Sequence, residues 1–198
     1  MNRTGMSPGF SLVELMVTVA LVALILGLFA AYTSSSSFRL EAAANSLFAT
    51  LQKTRLEAIM RNRNVSLSFD INEDAVIDNQ MTMWVDENNN NTYDGGAELV
   101  ESIPKEPLMA FGSVTVGEGG PSIPPPTVSN APLDGVDFNN AGNSNCALFS
   151  PDCTAASGVL LVHSSTNESA GTFAIVLSSV GLPRIWYYQP GTSAWKDR

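Results

Sequence analysis

The sequence predicts an α+β fold, in which one long N-terminal α-helix packs on antiparallel β-sheets. Two changes of hydrophobic pattern along the chain support this prediction. An apolar run from Phe10 to Tyr32 is followed by a helical period from Phe38 to about Arg63. After Asn64 the period becomes two-fold, which is typical of half-buried strands. The 198 residues therefore divide into a helical N-terminal part and a β-rich remainder.

The apolar run from Phe10 to Tyr32 contains one charged residue, Glu14. At ~1.5 Å rise per residue, its 23 residues would form a helix long enough to cross a bilayer, with Glu14 near one end. A carboxylate in that place is costly unless it meets a partner. A secretory signal peptide is lost together with its apolar segment, whereas here the junction between Gly9 and Phe10 precedes that segment. Cleavage at this junction would leave the helix on the mature protein.

The junction resembles the processing site of type IV prepilins and of the related pseudopilins of type II secretion. The matching residues are Gly9 before the cut, Phe10 after it, and Glu14 as the fifth residue of the mature chain. The resemblance implies that a prepilin peptidase cuts after Gly9 and N-methylates Phe10. It also gives Glu14 a role in assembly, because the N-terminal amine of a neighbouring subunit can compensate a carboxylate in an apolar filament core. The alternative is an ordinary signal anchor with one stray acid.

These features divide the chain into four segments. Residues 1–9 would be a leader peptide, 10–32 a transmembrane and filament-core helix, 33–64 an amphipathic stalk helix, and 65–198 one β-rich periplasmic head. The stalk has five basic residues and two acids, whereas the head has sixteen acids and four bases. The acidic head disfavours non-specific binding of nucleic acid, although a local basic patch could still act.

The stalk helix is predicted from apolar residues that recur on one broad face. They are Leu40, Ala44, Leu47, Phe48, Leu51, Ala58 and Ile59. This face is expected to pack on the sheet of the head. Arg55 falls in the same sector, so it must either extend to the edge of the interface or meet an acid there. No proline or glycine interrupts the stretch from Phe38 to Arg63, and one nearly continuous helix from Phe10 is therefore expected.

The head is predicted to begin with strands and to end with strands. The predicted strands are Val65–Ile71, Gln80–Val85, Leu99–Ile103, Gly158–Ser164, Thr172–Ser178 and Arg184–Tyr188. Between these two groups the breaker-rich segment Gly117–Pro132 is expected to be a surface loop. The stretch from Leu51 to Ile59, which leads into the first strand, resembles the GspH/FimT branch of the pilin-like family. This resemblance implies the type IV pilin-like fold and a minor pilin or minor pseudopilin.

The segment from Asp86 to Asp94 has oxygen-bearing side chains at alternate positions, as a calcium loop requires. The candidate ligands are Asp86, Asn88, Asn90 and Asp94. However, Asn91 stands where an EF-hand has glycine, and Glu98 falls at position thirteen instead of twelve. A polar hairpin turn explains the same residues, because Asn and Asp readily adopt positive φ values. We therefore expect no cofactor, with calcium as the alternative.

Cys146 and Cys153 are the only two cysteines, and they enclose six residues. Export of the head would place both thiols in an oxidising compartment, so a disulfide between them is expected. A metal site at the cysteines is less well supported, because it needs further ligands. The one histidine, His163, lies inside the apolar alternation of a predicted strand.

The C-terminal segment gives an alternative function. The stretch Val180–Ile185 resembles the Gly-Arg-x-Arg turn of FimT-type pilins, which contributes to DNA binding in some relatives, but Leu182 replaces the first arginine. Arg184, Lys196 and Arg198 remain as candidate DNA contacts, among aromatic residues that can stack on single strands. A terminal hairpin with core aromatics explains the same residues.

The function that these features favour is assembly of a pilus or pseudopilus, as a subunit that enters, primes or caps the filament. The implied partners are a prepilin peptidase, other major and minor pilins or pseudopilins, and the inner-membrane assembly platform. The implied location is the bacterial inner membrane, crossed once, with the head in the periplasm. No enzymatic activity is expected, because the usual catalytic constellations cannot be assembled from one histidine and no phosphate-binding glycine loop.

Overall fold

The computed structural model describes residues 11–33, 36–70, 77–107, 109–111, 135–140, 145–167, 170–188 and 194–198. The chain forms two compact units, Met1–Ser35 and Ser36–Arg198, and each is treated by itself. Three predicted features lie outside the described residues: the leader 1–9, the Gly9–Phe10 junction and the loop Gly117–Pro132. Residues 34 and 35 are also outside them, so one continuous N-terminal helix stays a prediction.

The first unit contains helix α1, Leu12–Thr33. Ser11 caps its start, because the Ser11 Oγ accepts a hydrogen bond of 3.3 Å from the Val13 N–H, one of the groups that a helix start leaves unsatisfied. Glu14 lies in the first turn, where the positive end of the helix dipole favours a carboxylate. By length and hydropathy, no helix in the described segments can cross a membrane. The structure therefore does not confirm the expected transmembrane segment 10–32.

The second unit begins with helix α2, Ser36–Arg61, which corresponds to the predicted stalk helix. Its buried residues are Leu40, Ala43, Ala44, Leu47, Leu51, Thr54 and Ala58. Two residues of the predicted face lie at its edge, since Phe48 is half-buried and Ile59 is exposed. The helical period thus predicts the buried face of α2 correctly, although the buried face is narrower than the predicted one.

The end of α2 is set by Asn62, which adopts a left-handed conformation with φ of 52°. The Asn62 N–H donates to the Ile59 carbonyl at 3.3 Å, and the Arg63 N–H donates to the Ala58 carbonyl at 3.2 Å. These two bonds form a Schellman motif, which satisfies the last helical carbonyls. The helix therefore stops two residues before the predicted end at Arg63, and the chain turns directly into the first strand.

In the described residues ten strands follow α2, and every pair among them is antiparallel. They are β1 Asn64–Ser68, β2 Gln80–Asp86, β3 Leu99–Pro104, β4 Met109–Phe111, β5 Val136–Phe138, β6 Cys146–Phe149, β7 Gly158–Ser164, β8 Thr172–Leu177, β9 Pro183–Tyr188 and β10 Trp195–Asp197. One sheet has the order β3-β2-β1-β6. The other has the order β10-β9-β8-β7-β4, and β5 also pairs with β7.

The hydrophobic core of the second unit joins α2 to both sheets. Leu47 and Leu51 of the helix share it with Leu67 of β1, Phe149 of β6 and Ile175 of β8. A second, smaller cluster lies on the other face of the larger sheet, where Val159, Leu161 and Ala174 are buried. The predicted α+β class, with a helix packed on antiparallel sheets, is confirmed.

One strand differs from its predicted character. β1 was expected to be half-buried from Val65 to Ile71, but it ends at Ser68 and is buried on both faces. Its polar positions Ser66 and Ser68 are 1% and 3% exposed. β1 is an inner strand, paired with β2 on one side and β6 on the other. The alternation of apolar and polar residues therefore predicts the strand, but it does not predict that the polar face of the strand is buried.

Candidate functional site

The apolar surface of α1 is the largest candidate interaction surface in the described residues. Twelve large apolar side chains of this helix are exposed within their unit, from 52% for Val17 to 74% for Leu12. They lie on all sides of the helix, and a helix that is apolar all round is normally buried in the core of a large protein or in a membrane. Glu14 is the one charged residue in α1 and is exposed as well. The helix therefore presents one carboxylate in an otherwise apolar surface.

Glu14 has a local role that the sequence prediction missed. Ser11 is the N-cap of α1 and Glu14 is the third helical residue, so Ser11-Leu-Val-Glu14 matches the capping-box pattern. The spacing of Ser11 and Glu14 is the sequence signal that could have shown this role. A carboxylate at this position stabilises the start of the helix through the dipole, independently of any partner subunit.

The polar turn between β2 and β3 is held together by its own carboxylates and amides. The Asp86 carboxylate is buried and accepts hydrogen bonds from the backbone N–H groups of Asn90 and Asn91, at 3.1 and 3.0 Å. The Asp94 Oδ2 accepts from the side-chain amides of Asn88 and Asn90, at 2.6 and 2.9 Å. The candidate calcium ligands are therefore together in space, but each already has a hydrogen-bond partner.

The turn joins the paired strands β2 and β3 as the polar hairpin turn that the sequence predicts, and calcium stays the alternative. Glu98 is buried and closes the turn, since its carboxylate accepts from the backbone N–H of Asp94 at 2.8 Å and of Glu87 at 3.3 Å. Asn89 and Asn91 adopt positive φ values of 58° and 59°, as expected for asparagine in a tight turn. Among the described residues, no group of three His, Cys, Asp or Glu side chains could hold a metal ion.

Cys146 is the first residue of β6, and Cys153 lies in the short turn that follows this strand. Cys146 is buried in β6, whereas Cys153 is half-buried with φ of 70°. The structure contains no bond between them, so the expected disulfide is not confirmed and stays a prediction. Intact mass before and after reduction would differ by two protons if the exported protein forms it.

Asp152, beside Cys153, holds the end of this turn. Its Oδ1 accepts a hydrogen bond of 2.6 Å from the Thr154 hydroxyl and another of 3.0 Å from the Thr154 N–H. These bonds stabilise the charged carboxylate, first the hydroxyl and then the backbone N–H, and so lower the pKa of Asp152. A lowered pKa stabilises the turn at neutral pH, and that contribution is lost as the pH falls through the pKa of the folded state.

The three candidate DNA-contact bases do not form one patch. Arg184 of β9 stands opposite Val176, which packs on the smaller cluster. Lys196 of β10 stands opposite Tyr187, which packs on the main core. Because directly paired residues share a face of a sheet, Arg184 and Lys196 lie on opposite faces.

Arg198 shares the face of Lys196 but is engaged within the protein. Its guanidinium forms an ion pair with Glu41 of α2. It also lies 5.1 Å from the ring centre of Tyr187 and 5.9 Å from that of Phe173. These contacts tie the C-terminal hairpin to the helix. The aromatic residues of this region accordingly serve packing, as the alternative interpretation of the sequence expected.

The sequence predicts that Arg55 of α2 either extends to the edge of the interface or meets an acid. The structure shows neither arrangement completely. It is half-buried, and its Nε is buried with no hydrogen-bond partner. The β8–β9 turn lies against it, since a Cβ atom on Gly181 would be 3.2 Å from that Nε. No acid of the described residues pairs with it. The Arg55 side chain therefore lies at the contact between α2 and this turn, and its Nε has no acceptor among the described residues.

Comparisons with known proteins show which proteins this chain is similar to. It is 35% identical over 91 residues to the pilin-like protein PilA1 of Thermus thermophilus, which is 46% of this chain and 56% of that protein. The chain thus spans a little over half the length of this relative. Among solved structures, the type IV minor pilin FimU of Pseudomonas aeruginosa gives a TM-score of 0.45 at 16% identity, covering 81% of this chain and 92% of that one.

The minor pseudopilin EpsH from the type 2 secretion system of Vibrio cholerae gives a TM-score of 0.44 at 9% identity, covering 74% of this chain and 94% of that one. The family described as type II transport protein GspH matches residues 43–181, from the middle of α2 to the β8–β9 turn. This match covers most of the chain and confirms the resemblance that the sequence indicated. The chain belongs to the family of the type II transport protein GspH.

Proposed function

We propose that this chain is a minor type IV pilin or a minor pseudopilin of type II secretion, which assembles through its N-terminal helix into a filament or primes or caps it. Membership of the GspH family and the similarity to a pilin-like protein support this role. The observation that carries the proposal is the exposed apolar surface of α1 with its single carboxylate. Such a helix has a function only where other apolar surfaces cover it.

The proposed driving force for assembly is burial of α1 against the helices of other subunits. Each of its large apolar side chains contributes ~1.5–3 kcal/mol when it becomes fully buried, and twelve of them are exposed. Glu14 opposes burial unless a positive charge meets it. The N-terminal amine of Phe10 in a neighbouring subunit would supply that charge, and loss of either partner would cost roughly 3–5 kcal/mol. Pairing of Glu14 would thus select one register of the helices.

The steps before assembly follow the same proposal. A prepilin peptidase would cut between Gly9 and Phe10 and methylate the new N-terminus. Residues 10–32 would reside in the inner membrane with the head in the periplasm, until the assembly platform moves the helix into the filament. The role is mechanical, and the helix contributes binding free energy instead of chemistry.

The mass of the N-terminal peptide tests this proposal. The protein would be purified from membranes of two otherwise identical strains, one with and one without a prepilin peptidase. We expect a methylated Phe10 at the N-terminus only in the strain with the peptidase. An intact Met1 in both strains would contradict the proposed processing, and with it the proposed assembly.

The DNA-uptake alternative has less support. Arg184 and Lys196 lie on opposite faces of the sheet, and Arg198 is paired with Glu41. Nucleic-acid affinity depends on several bases that face the same backbone.

A further inference from the structure

A small open groove lies where the start of α2 meets the connection between β3 and β4. Its volume is about 170 Å³, and it is lined by Arg39, Leu40, Ala43, Glu106, Pro107 and Met109. All of these residues belong to the second unit. Leu40, Ala43 and Met109 are 3%, 4% and 3% exposed, and they are part of the main core. The groove therefore has an apolar floor, with one base and one acid beside it.

The two charged residues of the groove have no ionic partner among the residues that the structure describes. Arg39 and Glu106 are both exposed, and the ion pairs of the described residues all involve other side chains. A surface pair between these two would contribute little, because water screens it and both side chains would lose freedom. The groove is therefore open to a ligand with a negative group for Arg39 and a positive group for Glu106.

The backbone that carries both charges is fixed before any ligand binds. The Lys105 N–H donates to the Asn79 carbonyl at 3.0 Å, and the Met109 N–H donates to the Glu106 carbonyl at 3.0 Å. Arg39 lies inside α2, directly before the buried Leu40. A ligand therefore has to order only the two charged side chains, which keeps the entropic cost of binding low.

The groove is close along the chain to the predicted membrane segment. Arg39 is seven residues beyond Tyr32, where that segment ends. Seven residues span at most about 25 Å when fully extended, and the headgroup layer on each side of a bilayer is about 5–8 Å thick. Phe38, the residue before Arg39, is 48% exposed, and a large apolar side chain is favoured at the boundary between headgroups and acyl chains. In a membrane-anchored chain, phospholipid headgroups are therefore abundant near this groove.

We propose that the groove binds the headgroup of a phospholipid that carries a primary amine, as phosphatidylethanolamine does. The Arg39 guanidinium donates charge-assisted hydrogen bonds to the phosphate, and the ammonium group donates to the Glu106 carboxylate. The glycerol and the first methylene groups of the lipid cover Leu40 and Met109. An anionic headgroup without an amine leaves Glu106 unpaired, and the trimethylated ammonium of phosphatidylcholine has no N–H to donate.

This inference rests on the proposed function, because it requires residues 10–32 to be anchored in the membrane. It adds a ligand and a site in the second unit to that function. The bound headgroup holds the second unit at the membrane surface, and it is released when the subunit leaves the bilayer for the filament.

Native mass spectrometry of the full chain in lipid nanodiscs tests the site. The nanodiscs contain equal amounts of phosphatidylethanolamine, phosphatidylcholine and phosphatidylglycerol with identical acyl chains, and the lipids that stay on the released protein are counted. We expect phosphatidylethanolamine to be retained about threefold or more over phosphatidylcholine, as a solvent-accessible ion pair allows. Soluble phosphoethanolamine, added to the full chain in detergent, should not stay bound, because it lacks the apolar part that covers the floor of the groove.

Two variants connect this preference with the groove. Glu106→Gln should remove the preference for phosphatidylethanolamine over phosphatidylcholine, because the carboxylate that accepts from the ammonium is lost. Arg39→Gln should lower the retention of phosphatidylethanolamine about tenfold, whereas Arg39→Lys should restore part of it, because lysine keeps the charge but not the paired donors. Glu87→Gln and Arg63→Gln are the matched controls, since both residues are exposed and lie outside the groove. Circular dichroism verifies that each variant is folded.

Each other outcome overturns the proposal. Equal retention of phosphatidylethanolamine and phosphatidylcholine by the parent would contradict recognition of the amine. A preference that neither Arg39→Gln nor Glu106→Gln weakens, or that the control variants weaken equally, would mean that the lipid binds elsewhere. Retention of soluble phosphoethanolamine as strong as that of the lipid would make a soluble molecule the ligand. A chain that does not enter the nanodisc would contradict the proposed membrane anchoring itself, whereas the preceding outcomes contradict only the groove.

Discussion

At the scale of single residues, Glu14 has a local role in the helix and a proposed role in assembly. It is in the first turn of α1, where a negative charge stabilises the helix start, and it follows the N-cap Ser11 at capping-box spacing. The proposed pairing with a neighbouring amine uses the same carboxylate. The two roles can be separated, because a neutral glutamine also fits the capping-box pattern and loses only the interaction with the helix dipole.

The variant Glu14→Gln separates the local role of Glu14 from its proposed role in assembly. Glutamine also occurs at this position of capping boxes, so the helix content measured by circular dichroism should stay within error. Incorporation into filaments, measured by immunoblot of the sheared filament fraction, should be lost, because an uncompensated amine remains in the apolar core. Thr18→Val is the control, since the Thr18 hydroxyl donates only to the Leu15 carbonyl of its own helix, at 2.9 Å. Normal incorporation of Glu14→Gln would refute the charge pairing.

At the scale of elements, the ends and turns of the second unit depend on asparagine and glycine in left-handed conformations. Asn62 ends α2, Asn89 and Asn91 shape the β2–β3 turn, and Gly181 places the β8–β9 turn against the helix. L-residues with a Cβ pay about 1–2 kcal/mol in this region, apart from asparagine and aspartate, which are tolerated. These positions therefore set where each element stops.

Asn62 gives the first test at this scale. Asn62→Ala should lower the free energy of unfolding by about 1 kcal/mol, because alanine is strained in the conformation that the Schellman motif requires. Asn62→Gly should leave it unchanged or raise it slightly. Urea denaturation of both variants provides the measurement, and an alanine variant as stable as the glycine variant would contradict the argument.

The β2–β3 turn gives the second test. Because the carboxylates of Asp86, Asp94 and Glu98 already accept internal hydrogen bonds, the melting temperature should be the same in excess calcium and in excess chelator. A true site at these residues would raise the melting temperature by several degrees, since a ligand that binds only the folded state stabilises it. A shift of that size, abolished by Asp94→Asn, would restore the calcium alternative.

At the scale of the whole molecule, charge is segregated along the chain. The stalk segment 33–64 is basic, whereas residues 65–198 are strongly acidic. This distribution opposes contacts with polyphosphate. The C-terminal bases do not reverse it, because Arg198 pairs with Glu41 and Arg184 is on the opposite face from Lys196.

The DNA alternative is therefore expected to fail in solution. The full chain in detergent should not shift a single-stranded oligonucleotide at about 0.15 M salt, where weak non-specific contacts are screened. The triple variant Arg184→Ala, Lys196→Ala, Arg198→Ala should behave in the same way. A salt-dependent shift by the parent that the triple variant loses would establish binding through these bases.

The sequence by itself determined the helices, six of the ten strands and the family. These are local properties: the period of apolar residues gives α2 and strands such as β7, and the spacing of Gly9, Phe10 and Glu14 indicates the family. The missed strands β4, β5, β6 and β10 have three or four residues each, too few for a period to be visible.

Only the tertiary structure decided which side chains share a face and which have partners. The separation of Arg184 from Lys196 follows from the register of β8, β9 and β10, and the burial of Ser66 is visible only in the folded protein. The placement of Arg55 beside Gly181 depends on a contact between α2 and a turn more than a hundred residues away. Such contacts are set by packing of distant segments, and no local pattern in the chain encodes them.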